Sequence, residues 1–401
     1  MCSYLTVPTD IAGSAKGVSG WFSVTSANVY FDHPFHAPFA HTLNIDFADP
    51  SRGPGARVAV ELSAESAPFG RQHQRGAGRR WSRRLVTTPT ARAAGVHLPW
   101  AQVPEPVQIW AAQVGGGAPA RVRDLQGGFS PGAAARLECP GRAVFVKAVG
   151  AALNPESPVM HRREAVVSAA LPDSALFPSL LDIYDDGDWV GLAFEAVDGR
   201  PPRHPWERAE LDSVLVALGS LHDALTPSPA PELEPAAVYL RNIFGGWAEL
   251  AGRPEPPAGL DPWARVHLSR LAELEAGWPA ACEGTTLVHG DVRSDNVLLT
   301  RDGAVFVDWP HAAIGTPAFD LVAWAPSVVL EGGPPPDELL AAHPQTSATD
   351  PDVVTILLAA VCGFFLSHSF RPPPPGLPTV RAFQAAQGDV ALAWLRRRTG
   401  W

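Results

Sequence analysis

The chain contains 401 residues, of which 46% are apolar, and this share is high enough to build a sizeable core and to exclude a wholly disordered protein. Its formal net charge of −10 argues against a nucleic-acid partner, because nucleic-acid-binding proteins present a basic face to the phosphates. Four cysteines without paired spacing exclude a disulfide scaffold or a zinc ribbon. The sequence has neither a leader pattern nor an unbroken apolar run of roughly 18 residues, so we expect a soluble cytoplasmic protein without a membrane partner.

Residues 1–68 have the pattern of a small, mostly β domain. Short runs rich in β-branched and aromatic residues alternate with turn residues, which predicts a small sheet. The opening MCSYLT and the later segment YFDHP resemble a small uncharacterised actinobacterial domain, and this resemblance implies no activity. The polar, basic segment that follows predicts a linker over residues 69–81. The cysteine and the histidines of this region are more typical of turns and surfaces than of a metal site: Cys2, His33, His36 and His41.

From residue 82 onward the pattern changes to a mixture of strands and helices. The predicted elements, in chain order, are a helix at 107–114, strands at 133–139 and 143–149, a helix at 160–170, a hairpin turning at 185–188, a largely helical stretch at 206–280, strands at 296–300 and 304–308, and further helices that include a buried one at 353–366. Strands therefore dominate the first part of this region, and helices dominate the second part.

The strongest chemical signal is the segment HGDVRSDN, which an apolar strand follows. It places Asp291 five residues before Asn296, and the later segment VFVDW adds Asp308. Phosphoryl transfer from ATP needs a carboxylate that accepts the proton of the attacking hydroxyl, and oxygen ligands that hold Mg²⁺ on the phosphates. The predicted hairpin between the two aspartates brings their carboxylates close together, and a bound cation would offset their repulsion.

This loop resembles the catalytic loop of the aminoglycoside phosphotransferase family, a branch of the protein-kinase-like fold that includes choline and homoserine kinases. The resemblance covers residues 82–401. It implies an α+β, two-lobe protein-kinase-like fold, with a β-rich N-lobe at 82–197 and a helical C-lobe at 198–401. It also implies that Asp291 is the catalytic base and that Asn296 and Asp308 are the metal ligands. His289 would then orient the loop, and Asp320 would cap a helix and hydrogen-bond the loop as structural support.

Lys147 fits the same fold. The chain has 31 basic residues but only two lysines, so a lysine retained in an apolar strand indicates a chemical role. In the kinase-like fold a strand lysine contacts the α- and β-phosphates and is held by a helix glutamate. Glu164, at the start of a predicted helix, is the candidate glutamate, although it could instead pair with the adjacent Arg162 and Arg163.

Two further segments complete the predicted ATP site. The glycine-rich turn GGFSPG precedes the lysine strand, and its glycines allow the backbone to approach phosphates. We expect Gly127 and Gly128 to contact the phosphates through their amides and Ser130 to donate to a phosphate oxygen. The segment LAFEAVDG has the pattern of the hinge between the lobes. There the Glu195 carbonyl and the Val197 amide are the expected adenine contacts.

The sequence differs from that of protein kinases in ways that indicate the kind of acceptor. Asp308 is followed by Trp309 and Pro310, and only a short segment separates it from Asp320, which leaves little room for peptide docking. The sequence therefore predicts an ATP- and Mg²⁺-dependent kinase acting on a small-molecule hydroxyl. Its acidic balance favours a cationic acceptor, either an aminoglycoside-like antibiotic or an amino alcohol. The alternatives are a catalytically silent nucleotide-binding sensor or scaffold and a protein kinase. The choice between ATP and GTP and the oligomeric state stay open.

Overall fold

The computed structural model describes residues 95–125, 128–129 and 131–401, together with the backbone of two short strands nearer the N-terminus. These are β1 (Asn44–Ile45) and β2 (Val60–Glu61), which pair antiparallel. Met1–Arg84 form one compact unit, and Leu85–Trp401 form another. The predicted boundaries at residues 68, 81 and 197 stay predictions, and the first two lie outside the described residues.

A five-stranded antiparallel sheet forms the N-lobe of the larger unit. Its spatial order is β3-β4-β5-β7-β6. The strands are β3 (Arg121–Asp124), β4 (Ala133–Glu138), β5 (Ala143–Gly150), β6 (Leu180–Asp185) and β7 (Trp189–Glu195). Burial alternates along β4, as expected for a strand with one face against a core.

Two helices pack on this sheet, α1 (Glu105–Val114) and α2 (Ser157–Ala170). The side chain of Asn154 accepts hydrogen bonds from two backbone amides at the start of α2, which satisfies amides that have no partner within the helix. The buried residues of α2 include His161, Glu164 and Ala165, which recur at a three- to four-residue spacing and therefore share one face. That face turns Glu164 toward β5 and β7.

The C-lobe is helical, which confirms the predicted two-lobe fold. Its helices are α3 (Arg208–Ala224), α4 (Ala236–Tyr239), α5 (Gly246–Ala251), α6 (Pro262–Val266), α7 (Leu268–Glu275), α8 (Trp278–Ala281), α9 (Pro317–Leu330), α10 (Pro336–Ala342), α11 (Pro344–Ser347), α12 (Pro351–Ser369) and α13 (Val380–Thr399). One large apolar core joins most of them, and fully buried tryptophans on α5, α9 and α13 contribute to it.

Helix α12 is the one helix among the described residues that is long and apolar enough to cross a bilayer by length and composition. More than half of its most apolar window, 56%, is buried inside the fold. It packs against α13, α5, α7 and α9. A core helix of a folded domain has these properties, and the sequence predicts a buried helix here.

Two small antiparallel ladders between α8 and α9 carry the HGDVRSDN loop. Strand β8 (Thr286–Val288) pairs with β11 (Ala313–Gly315), and β9 (Val297–Thr300) pairs with β10 (Gly303–Phe306). The loop leaves β8 and enters β9, so both of its ends are fixed by strands. The second predicted strand extends to residue 308, but β10 ends at Phe306. Asp308 therefore lies beyond the ladder, in irregular backbone.

Candidate active site

A cavity of about 1040 Å³ is lined by residues of the sheet and of the C-lobe. It brings together many of the side chains and backbone segments that the sequence singled out. Those lining it are Gly128, Lys147, Glu195, Val197, Asn296 and Asp308. Asp291 is not among the lining residues, but its side chain accepts a hydrogen bond from the lining residue Asn296.

Lys147 is held by two carboxylates from distant parts of the chain. Its Nζ lies 2.5 Å from Glu164 Oε2 and 2.6 Å from Asp308 Oδ1. The Glu164 side chain is only 2% exposed, whereas that of Asp308 is 33% exposed. Glu164 is thus a fixed internal partner for the ammonium, and Asp308 is the carboxylate that also faces the cavity.

This arrangement fixes the charges of the group. Burial alone would lower the pKa of Lys147, but Asp308 and Glu164 raise it above its ordinary value. Burial would likewise raise the pKa of Asp308, but Lys147 holds it well below the usual range. Burial raises the pKa of Glu164, and Lys147 opposes that shift. A lysine that stays cationic beside an ionised aspartate suits a site for phosphates and a metal ion.

The two arginines next to Glu164 bond elsewhere. Arg162 pairs with Asp185 at 2.7 Å. The guanidinium of Arg163 donates to the carbonyl oxygens of Pro310 and Ala312, at 2.9 and 2.8 Å, and lies 3.9 Å from the centre of the Tyr239 ring. Arg163 therefore fastens the segment that follows Asp308 to α2.

Asp291 is held from two sides within its own loop. Asn296 Nδ2 donates to the Asp291 backbone oxygen at 2.9 Å and to its Oδ2 at 3.1 Å. The guanidinium of Arg293 lies 3.2 Å from Asp291 Oδ2. Burial raises the pKa of Asp291, and Arg293 opposes this rise. A carboxylate that is fixed in place and has a raised pKa suits a general base.

Arg293 is a residue that the sequence reasoning missed. Besides Asp291, it bonds both carboxylate oxygens of Asp295 at 2.9 Å. Its guanidinium lies 5.4 Å from the centre of the Phe129 ring and 5.6 Å from that of Phe383. These two rings also contact each other edge to face. Arg293 thus connects the HGDVRSDN loop to the glycine-rich turn and to α13.

The base of the loop rests on Asp320. Its Oδ2 accepts the His289 amide at 2.9 Å, and its Oδ1 accepts the Gly290 amide at 2.7 Å. The resemblance implies that Asp320 caps a helix, and this prediction is wrong. Thr316 occupies the N-cap position of α9, and Asp320 lies within the first turn. The His289 ring accepts from the Asp291 amide through Nδ1, so its Nε2 donates to the Val307 carbonyl at 3.0 Å.

Two residues of this segment require an unusual backbone. Gly290 has φ of +79°, and a Cβ placed there would lie 2.3 Å from the His311 carbonyl oxygen. Only glycine fits such a position without strain. Asp308 has φ of +71°, a conformation that aspartate tolerates better than bulkier residues do. The left-handed turn directs Asp308 away from the ladder, and its carboxylate reaches Lys147.

The structure describes only part of the predicted nucleotide loop and the predicted hinge. Gly128 has φ of +75° and lines the cavity, whereas Gly127 and Ser130 lie outside the described residues. Glu195 ends β7 at the cavity wall. The Val197 carbonyl accepts a hydrogen bond from Arg136 at 3.1 Å. No observation tests the expected contacts of Glu195 and Val197 with adenine, so they stay predictions.

Two more cavity residues escaped the sequence reasoning. Phe145 stands two positions before Lys147, so strand alternation places both on the face that lines the cavity. This alternation could have identified Phe145 from the sequence once Lys147 was assigned to the cavity. His161 lies one helical turn before Glu164 and also lines the cavity. Burial, reinforced by Lys147, lowers the pKa of His161 to about 3, so its ring is neutral.

Comparison with known families decides the assignment. Residues 91–355 match the phosphotransferase enzyme family, which is well over half of the chain. The chain belongs to the phosphotransferase enzyme family. Residues 1–69 match a family of unknown function. Both resemblances read from the sequence are therefore confirmed.

Several solved structures are similar to this phosphotransferase. A spectinomycin phosphotransferase in complex with ADP and spectinomycin is 12% identical, with 69% of this chain and 93% of that chain covered and a TM-score of 0.48. An aminoglycoside-3′-phosphotransferase of type VIII is 21% identical, with coverages of 64% and 99% and a TM-score of 0.44. A choline kinase from Streptococcus pneumoniae is 12% identical, with coverages of 73% and 98% and a TM-score of 0.48. No curated protein matches the chain.

Proposed function

We propose that this phosphotransferase is an ATP- and Mg²⁺-dependent cytoplasmic kinase that moves the γ-phosphate to a hydroxyl of a small molecule. The observation that carries the proposal is the convergence of Lys147, Asp308 and Asn296 on one cavity, with Asp291 bonded directly to Asn296. A cation for the phosphates, oxygen ligands for a metal and a candidate base then stand side by side. These are the parts that phosphoryl transfer requires.

The nucleotide would lie along the cavity. Phe145 offers an aromatic face to the base, and Lys147, two residues further along the same strand, offers its ammonium to the phosphates. Gly128 lets the backbone come close to the phosphates, because it has no Cβ and the space where one would lie is open. Glu164 keeps the ammonium in place and needs no direct contact with the nucleotide.

The residues present fit a magnesium ion. The Oδ1 atom of Asp308 accepts from Lys147, so Oδ2 is the oxygen that can ligate a metal. Asn296 donates through Nδ2 to Asp291, which leaves its amide oxygen as the ligating atom. Hard oxygen ligands are the ones that Mg²⁺ prefers, and when bound it would neutralise charge on the phosphates.

Asp291 would act on the acceptor. Its carboxylate accepts the hydroxyl proton as the acceptor oxygen bonds to the γ-phosphorus, and the bond from that phosphorus to the β-phosphate bridging oxygen breaks to release ADP. Arg293 and Asn296 hold the carboxylate while this occurs.

The acidic balance of the chain supports a cationic acceptor, an aminoglycoside-like antibiotic or an amino alcohol, since a negative field concentrates cations. Antibiotic resistance would follow from the first kind of acceptor.

The test is acceptor-dependent ADP release by the full-length protein with Mg-ATP. Cationic, neutral and anionic alcohols form the panel, aminoglycosides are included, and each is assayed at low and high salt. We expect a cationic acceptor whose kcat/KM falls as salt screens the field. Preferential use of a neutral or anionic alcohol would overturn the acceptor class but not the kinase. Mg-ATP binding without turnover of any acceptor would favour the silent sensor or scaffold.

A further inference from the structure

A second polar network lies behind the catalytic loop, in the core of the C-lobe. Its centre is His222, in the last turn of α3, whose side chain is fully buried. The Nε2 atom of His222 lies 3.0 Å from Asp320 Oδ2, and its Nδ1 lies 3.1 Å from Gln345 Oε1. Both ring nitrogens are therefore within hydrogen-bond distance of an oxygen.

The contact of Gln345 with Asp223 orients its amide group. Its Nε2 lies 2.5 Å from Asp223 Oδ1, and an ionised carboxylate only accepts hydrogen bonds. The nitrogen of the amide must therefore face Asp223, and the oxygen must face His222. An amide flip would set two oxygens against each other at that distance, so the contact with Asp223 favours this orientation.

The other nitrogen of His222 also faces an acceptor. The two oxygens of Asp320 receive the amides of His289 and Gly290, and Oδ2 receives His222 in addition. Burial would raise the pKa of Asp320, but the bond from His222 lowers it below the ordinary value. Asp320 is thus a buried carboxylate, and such a charge needs a partner to offset its desolvation.

A neutral imidazole has one donor, whereas these surroundings require two. We propose that His222 is a doubly protonated imidazolium and a positioning residue for phosphoryl transfer, holding Asp320 and through it the two amides that precede Asp291. The effect on rate rests on the proposed kinase function, but the protonation of His222 does not. The last turn of a helix favours a positive charge, which agrees with the place of His222 in α3.

The other titratable groups around His222 are Asp223, His289 and His343. The His343 ring packs against the His222 ring at 5.4 Å, and neither of its buried nitrogens has a hydrogen-bond partner among the described residues. Burial and the neighbouring His222 lower the pKa of His343 to about 4, so His343 is neutral. His343 has the same residue type and the same burial but no bond to Asp320, which makes it the matched control.

Nitrogen NMR tests the protonation directly. The full-length protein is labelled with ¹⁵N-histidine, and the ring signals of His222 are assigned by their loss in His222→Gln. At pH 7 we expect two similar ¹⁵N shifts, the signature of an imidazolium, and widely separated shifts would overturn the proposal. Gln345→Leu removes one acceptor, so it should make the neutral ring preferable and separate the shifts. Unchanged imidazolium signals in Gln345→Leu would contradict the argument from Gln345.

Kinetics tests the positioning role. With any acceptor that is phosphorylated, His222→Gln should lower kcat about tenfold to a hundredfold, the size of a lost charge-assisted hydrogen bond, while KM for ATP changes little. His343→Leu should retain kcat to within about twofold, because its ring nitrogens make no hydrogen bonds to lose. Equal losses in both variants, or an unchanged kcat in His222→Gln, would overturn the role.

These measurements separate this proposal from the function itself. If no acceptor is turned over, the proposed function fails, and the NMR still decides the state of His222. If His222→Gln does not fold, Gln345→Leu supplies both the assignment and the kinetic comparison, because it perturbs the same ring.

Discussion

The proposed phosphate-binding group and the support of the HGDVRSDN loop are built in opposite ways. Lys147, Glu164 and Asp308 come from β5, α2 and the segment after β10, and they meet across the cavity. Asp320, His222 and His289 lie entirely within the buried C-lobe. The first group depends on two lobes coming together, whereas the second lies within the core of one lobe. Nucleotide binding and turnover should therefore be separable by mutation.

Asp291→Ala should separate nucleotide binding from turnover most strongly. We expect kcat to fall by about 10²- to 10⁴-fold, because this variant removes the proposed base for the hydroxyl proton. The affinity for Mg-ATP should stay nearly unchanged, since the role proposed for Asp291 is on the acceptor. Calorimetry measures the affinity, and coupled ADP release measures kcat. Equal turnover by the wild type and this variant would refute the assignment of the base.

Asp308→Ala should instead affect nucleotide binding. Removal of the carboxylate that faces both Lys147 and the cavity should weaken Mg-ATP binding by about tenfold to a hundredfold, the range for one charge-assisted contact. Asp302, in the exposed turn of the same hairpin, provides the control, and Asp302→Ala should bind as the wild type does. If both variants bound Mg-ATP equally well, Asp308 would have no role in the metal site.

Gly290→Ala tests how rigid the base of the loop is. The added Cβ would meet the His311 carbonyl oxygen at 2.3 Å, and φ is already positive, so we expect a loss of about 3 kcal/mol in unfolding free energy. Gly187→Ala has a similar φ of +95° but open space around it, so it should lose only about 1 kcal/mol. Denaturant titration of both variants gives the comparison. Similar losses would show that the loop yields to the clash.

Arg293→Met should move the pH dependence of turnover. Arg293 opposes the rise that burial causes in the pKa of Asp291, so its removal should raise that pKa further. The base must be ionised, and the acid limb of kcat/KM should therefore shift to higher pH. Arg162→Met, which removes an arginine paired with Asp185, should leave the acid limb in place. A shift to lower pH in Arg293→Met would contradict the proposed pairing.

The sequence predicted those parts of the site that stand in a recognisable pattern, which are the loop and the lysine of the apolar strand with its helix glutamate. The loop from His289 to Asn296 has a fixed spacing, and the predicted hairpin correctly brought Asp308 near it. The support from His222 could not be predicted, because Gln345 and Asp320 lie about a hundred residues away. Arg293 was also missed, because the rings beside it come from two distant segments. Periodicity identifies the face of a helix, but it does not say what that face meets.

The fastening of the segment after Asp308 by Arg163 has a consequence for control in the cell. That segment is bonded at Pro310 and Ala312, and Thr316, its only hydroxyl residue before Asp320, serves as the N-cap of α9. Protein kinases switch by ordering the corresponding segment on phosphorylation. Here Arg163 bonds the segment without any added phosphate, so the proposed kinase would need no such switch. Its output would then follow gene expression and the supply of acceptor.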